Sequence, residues 1–126
     1  ELVEQAQDNG YAQTLLGRRR YLPDIDSSNS NRRGAAERVA VNMPIQGTQA
    51  DMIKIAMNRI HDRLAASDWD ARMLLQVHDE LIFDVATGER DELEALVIER
   101  MEQAAELDVP LEVNVGFGPN WDAAAH

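Results

Sequence analysis

The stretch Met73-Leu74-Leu75-Gln76-Val77-His78-Asp79-Glu80-Leu81-Ile82-Phe83-Asp84-Val85 holds two short, mainly apolar runs separated by three polar residues. Runs of this length and composition read as strands, and the polar break between them reads as the tip of a β-hairpin. Successive side chains on a strand point to opposite faces. Asp79 and Glu80 therefore share one site only if the turn bends the backbone between them. Two carboxylates on such a bend suit a hard divalent cation, with water and substrate phosphate as the remaining ligands. Acidic residues at a hairpin tip are also common as plain solvated groups, and a lone histidine such as His78 is commonly just exposed. The local pattern leaves both readings open.

Working outward, the segment before the hairpin places Ile53, Ala56, Met57, Ile60 and Leu64 at helical spacing, which predicts an amphipathic helix from about residue 48 to 64. Thr48 and Asp51 have the spacing of a capping box, with Asp in place of Glu or Gln. Pro44 biases its predecessor away from the α region, so a break is expected near Asn42–Met43 after a shorter helix over 34–42. Beyond the hairpin, 89–107 predicts a second amphipathic helix with Leu93, Leu96, Val97, Met101 and Ala104 on one face. Pro110 then precedes a clean alternation of Leu111, Val113, Val115 and Phe117, which predicts a third strand. Leu74, Val77, Leu81, Phe83, Val113 and Val115 are the expected sheet core. The order helix, hairpin, helix, strand predicts an α+β fold, an antiparallel three-stranded sheet packed by helices.

The first third reads differently. A short helix ends at Asn9-Gly10, a turn signal. A small hairpin is expected across Gly17-Arg18-Arg19 and closes at Pro23. The polar stretch 24–31 reads as an exposed, mobile loop.

The chain has 126 residues, 44% of them hydrophobic, no cysteine and a formal net charge of −11. A core is affordable and disorder is not expected. Thiolate metal sites are excluded, so oxygen or imidazole would hold any metal, which favours Mg²⁺ or Mn²⁺. No apolar run reaches membrane-spanning length, and a cytoplasmic location fits. The charge is uneven: residues 1–63 carry 9 Lys/Arg and 8 Asp/Glu, and residues 64–126 carry 3 and 15. A basic zone, Arg18 to Arg38, precedes an acidic body, so a nucleic-acid contact confined to the first half is compatible with the overall negative charge.

Four blocks together carry a resemblance. Leu75-Gln76-Val77-His78-Asp79-Glu80-Leu81 is similar to the third conserved motif of family-A DNA polymerases. Asn42-Met43-Pro44-Ile45-Gln46-Gly47-Thr48, with Ala50-Asp51, resembles the segment before that family's long palm helix. Thr14-Leu15-Leu16-Gly17-Arg18-Arg19-Arg20-Tyr21 resembles the hairpin after the fingers helices. Pro110-Leu111-Glu112-Val113 and Gly116-x-Gly118-x-Asn120-Trp121 resemble the closing strand and tail. The blocks occur in family order over nearly the whole chain.

The resemblance implies a palm-type sheet and a fragment of a larger polymerase domain: residues 1–33 as the fingers-proximal helix end, basic hairpin and loop, and 34–126 as the C-terminal palm subdomain. It implies template-directed nucleotidyl transfer to a primer 3′-hydroxyl, in DNA replication and repair, by a two-metal mechanism with Mg²⁺ (Mn²⁺ as substitute). Asp79 matches the invariant catalytic aspartate and metal ligand, and Glu80 the neighbouring carboxylate with a looser metal contact. His78 matches a residue beside the primer terminus. Asn42 and Gln46 match residues that touch the DNA near the insertion site, where an amide can donate to minor-groove acceptors common to correct base pairs. Capping a helix end is the alternative use of Asn42. Arg38 matches an arginine near the active site, or else pairs with Glu37. Arg18, Arg19 and Arg20 would meet phosphate, or form a solvated turn. The partners implied are primer–template DNA, deoxynucleoside triphosphates and the rest of the polymerase chain.

Two parts of the family pattern have no match in these residues: the first metal-binding aspartate, and the fingers helix that holds the incoming nucleotide. The chain alone is therefore expected to be inactive, with exposed apolar faces that favour self-association. A rival reading is a palm-like binding module without catalysis, for which the His78-Asp79-Glu80 and Gln46 set has no chemical need.

Overall fold

Gly10 closes the first helix, α1 (Leu2–Asn9), with φ of 79°, and its N–H donates to the Ala6 carbonyl at 2.8 Å. This left-handed terminator suits a residue without Cβ. The computed structural model of the chain describes residues 1–105 and 112–125. Packing divides the chain into two compact units, Glu1–Asp51 and Met52–His126.

In the first unit, β1 (Tyr11–Gln13) and β2 (Arg19–Tyr21) form the expected antiparallel hairpin, with Ala12 opposite Arg20. A small core gathers Ala6, Ala12, Leu22, Ile25, Ala36, Ala40 and Met43. Ile25 is thus buried within the stretch expected to be an exposed loop, and the end of that stretch is already helical. Asn29 Oδ1 accepts from the backbone N–H groups of Asn31 at 2.9 Å and Arg32 at 3.3 Å, the bonds of an N-cap. The helix α2 (Ser30–Ala65) starts there.

Pro44 does not break this helix. The expected end at Asn42–Met43 and the expected fresh start at Thr48 are both replaced by 36 continuous residues. An interior proline removes one N–H and crowds the carbonyl four residues back, at a cost of about 3 kcal/mol. Side chains act on the turn that follows it: the Thr48 hydroxyl donates to the Pro44 carbonyl, and Arg18 Nη2 donates to the Gly47 carbonyl at 3.4 Å. Thr48 is therefore a mid-helix relay and not a cap.

In the second unit, β3 (Ala71–Val77) and β4 (Glu80–Val85) pair antiparallel around a two-residue turn, His78-Asp79. Ile60, Leu93 and Val97 form the buried centre, with Leu64, Ala71, Leu81, Phe83, Val85 and Met101 against it. Leu93 and Val97 come from α3 (Arg90–Glu102), shorter at its C-terminal end than expected: Gln103–Ala105 leave the helix, and residue 107 lies outside the described residues. Leu74 was expected in the core but is 56% exposed. The register explains this. Met73 pairs with Phe83 and Leu75 with Ile82, so Leu74 is the unpaired residue of a β-bulge.

The three-stranded sheet is corrected to two separate two-stranded sheets within an α+β fold. Leu111 lies outside the described residues. Residues 112–118 are described but join no ladder, and Val115 is 39% exposed instead of buried. Alternation of apolar side chains makes a segment extended and one-sided; only a free partner edge makes it a strand. This segment packs through its glycines instead. A Cβ on Gly116 would lie 2.0 Å from the Ala124 carbonyl oxygen, and one on Gly118 would lie 2.6 Å from the Ala123 Cβ. Both alanines belong to a short closing helix, α4 (Trp121–Ala124), capped by Asn120. Among the described residues no helix is long and apolar enough to cross a membrane.

Candidate functional site

The carboxylate pair sits where the hairpin turns. His78 has φ of 56°, the one positive value among the described non-glycine residues. Positive φ at only the first residue of a two-residue turn is the type II′ pattern, which prefers glycine there. A side chain in that conformation costs on the order of 1 kcal/mol. Gln76 Nε2 donates to the His78 carbonyl at 2.9 Å and helps hold the turn. Asp79 completes the turn, and Glu80 opens β4 opposite Val77. All three polar residues are exposed. The bend at His78 interrupts the flat-strand alternation just before the two carboxylates.

The donor chemistry fits a hard cation in part. Asp79 and Glu80 offer only carboxylate oxygen, as Mg²⁺ prefers. Among the described residues no group of three or more His, Asp or Glu side chains gathers into a metal-binding set. Two consecutive carboxylates are an incomplete coordination sphere, which water, phosphate oxygen and a further carboxylate would complete.

In the first unit, Arg38, Asn42 and Gln46 follow one another at four-residue spacing along α2, and all three are exposed. Because the helix continues through Pro44, Asn42 caps nothing, and that alternative falls. Ile45 lies between the two amides at 71% exposure. Against the alternative use of Arg38, pairing with Glu37 or another acid, Glu37 meets Arg33 at 3.7 Å.

The three hairpin arginines separate. Arg18 Nε donates to Asp51 Oδ1 at 2.6 Å, so its guanidinium is engaged within the chain. Arg19 lies over the Tyr11 ring at 4.4 Å, and its Nε donates to Gln13 Oε1 at 3.3 Å. Arg20 is exposed. Sequence reading missed Thr14 and Asp51, which meet through the Thr14 hydroxyl donating to Asp51 Oδ2 at 2.7 Å. No local signal marked the pairing, since Asp51 stands 33 positions from Arg18 and its capping-box spacing suggested another use.

Residues 1–123 match the family model described as DNA polymerase family A. The chain belongs to DNA polymerase family A. It is 60% identical over 126 residues to DNA polymerase I of Mycobacterium leprae, covering all of this chain and 14% of that protein. It is 52% identical over 119 residues to the thermostable DNA polymerase I of Thermus filiformis, covering 94% of this chain and 14% of that protein. Among solved structures, the POL domain of Pol1 from M. smegmatis, in complex with DNA primer-template and dNTP, superposes with a TM-score of 0.95 at 58% identity. That match covers 99% of this chain and 22% of the other. The chain thus spans about one seventh of the length of its family-A relatives.

Proposed function

We propose that this chain contributes one carboxylate-bearing part of the active site of a DNA-directed DNA polymerase that transfers nucleotidyl groups to a primer 3′-hydroxyl. The observation that carries the reading is the exposed Asp79-Glu80 pair on a strained two-residue turn, in a chain that matches the family over 1–123. Asp79 is the principal ligand for Mg²⁺ and Glu80 the secondary one. Asp79 and Glu80 would hold Mg²⁺, which would supply charge stabilisation for the attacking hydroxyl and the leaving pyrophosphate. His78 positions the primer end. Asn42 and Gln46 donate to minor-groove acceptors and so test base-pair shape without reading sequence. Arg38 works beside them, Arg19 and Arg20 face phosphate, and Arg18 acts through its hold on Asp51. The division into a fingers-side part, 1–33, and a palm part, 34–126, and the cytoplasmic location, belong to the same reading.

The test is Asp79→Asn in the full-length polymerase. Loss of a metal ligand removes charge stabilisation that binding energy does not replace. Incorporation should fall by about three orders of magnitude or more, while primer–template affinity stays within a few fold. Near-normal turnover would refute the assignment.

A further inference from the structure

Four polar contacts join the first hairpin to α2 at the turn after Pro44, and two more, one within each element, extend them. Arg18 Nε donates to Asp51 Oδ1 at 2.6 Å, and the Thr14 hydroxyl donates to Asp51 Oδ2 at 2.7 Å. The Thr14 oxygen in turn accepts the Arg18 backbone N–H at 3.1 Å. The Leu15 backbone N–H donates to Thr48 Oγ1 at 2.9 Å, Thr48 donates on to the Pro44 carbonyl, and Arg18 Nη2 donates to the Gly47 carbonyl at 3.4 Å. Gly47 makes the approach possible, since a Cβ there would lie 2.7 Å from Thr14 Cγ2. The Asp51 side chain is only 11% exposed and Thr14 is buried, so water competes little for these bonds.

Helix geometry gives the contacts a direction. Asp51 follows Asn42 by about two and a half turns, which puts the two on opposite sides of α2. The hairpin therefore grips the back of the helix whose front carries Arg38, Asn42 and Gln46. A two-point hold, a salt bridge on Asp51 and a hydroxyl relay on Thr48, fixes both the roll of the helix and its height against the hairpin.

We propose that Asp51, with Thr14, Arg18 and Thr48, forms a latch that positions the amide-bearing face of α2 for the DNA duplex. Asp51 is a positioning residue and touches neither substrate nor metal. Arg18 serves the latch, whereas Arg19 and Arg20 remain for phosphate. The proposal rests on the polymerase reading above, because it needs Asn42 and Gln46 to meet DNA.

The experiment uses the full-length polymerase and its Asp51→Ala, Arg18→Ala and double variants, with Asp51→Asn and Gly47→Ala as further routes to a broken latch. Primer–template affinity is measured across a salt series, beside thermal melting. Each single variant should weaken binding about tenfold, the worth of one charge-assisted bond. The double variant should be no weaker than either single one, because both remove the same bond. The slope of log affinity against log salt should stay at the wild-type value, since no phosphate contact is lost; a phosphate-bound Arg18 would lower it by about one. Additive losses, a reduced slope for Arg18→Ala, or lowered melting with unchanged affinity would each overturn the latch. Should Asp51→Ala fail to fold, the same criteria apply to Asp51→Asn and Gly47→Ala. If the wild-type polymerase itself neither bound primer–template nor extended it, the polymerase reading would fall and the latch with it; wild-type activity with indifferent variants removes the latch alone.

Discussion

At the scale of single residues, His78 joins strain to placement. Its positive φ bends the hairpin just before the two carboxylates. Glycine would take that backbone more readily, so His78→Gly should leave the hairpin intact and stabilise it by up to about 1 kcal/mol. If His78 positions the primer end, the same change should raise the KM for primer–template in the full-length enzyme. Melting and steady-state kinetics on one variant check both halves; a destabilised fold with unchanged kinetics would contradict them. The candidate residues Asp79, Glu80, Asn42 and Gln46 stand out at this scale because they sit in stretches that resemble the family's motifs. The partnership of Thr14, Arg18 and Asp51 does not, because it joins residues 37 and 33 positions apart. Nothing in a local pattern says which acid a basic run will meet.

At the scale of elements, the hairpins and the amphipathic helices followed from spacing, and two features did not. The third strand lost to close glycine packing against α4, which periodicity does not report. The helix break at Pro44 lost to tertiary support, from polar contacts that only the fold brings together. The proline nonetheless leaves the Ala40 carbonyl without its usual amide donor. Pro44→Ala should therefore restore a backbone bond and slow amide exchange over residues 40–48, which exchange mass spectrometry would detect. Unchanged exchange would mean that the neighbouring contacts already remove the whole cost.

At the scale of the molecule, the charge and the exposed surface set the behaviour of the chain alone. The acidic body carries 15 Asp/Glu against 3 Lys/Arg over residues 64–126, so most of the positive charge suited to phosphate lies in the first half. Leu15 at 67%, Ile45 at 71% and Leu74 at 56% exposure are large apolar side chains left open to solvent. The isolated 126-residue chain should elute above its 14.1 kDa monomer mass in sizing chromatography and give no primer extension above background. Clear incorporation would show that the carboxylates present suffice, against the two-metal requirement.

The bulge at Leu74 bears on which gene-length changes this hairpin tolerates. Leu74 has no cross-strand partner, while Met73, Leu75, Gln76 and Val77 each have one. Losing one in-frame codon at 74 would merge the two halves of β3 into a regular ladder and keep every existing pair, with His78 and Asp79 still at the turn. Leu75 is the same residue type as Leu74, so losing either codon gives the same chain; losing the codon for Gln76 or Val77 removes a paired residue and turns neighbouring side chains to the other face. Deletion tolerance along β3 is therefore concentrated at the two leucine codons, and the distance in sequence from Met73 to Asp79 is free to differ by one.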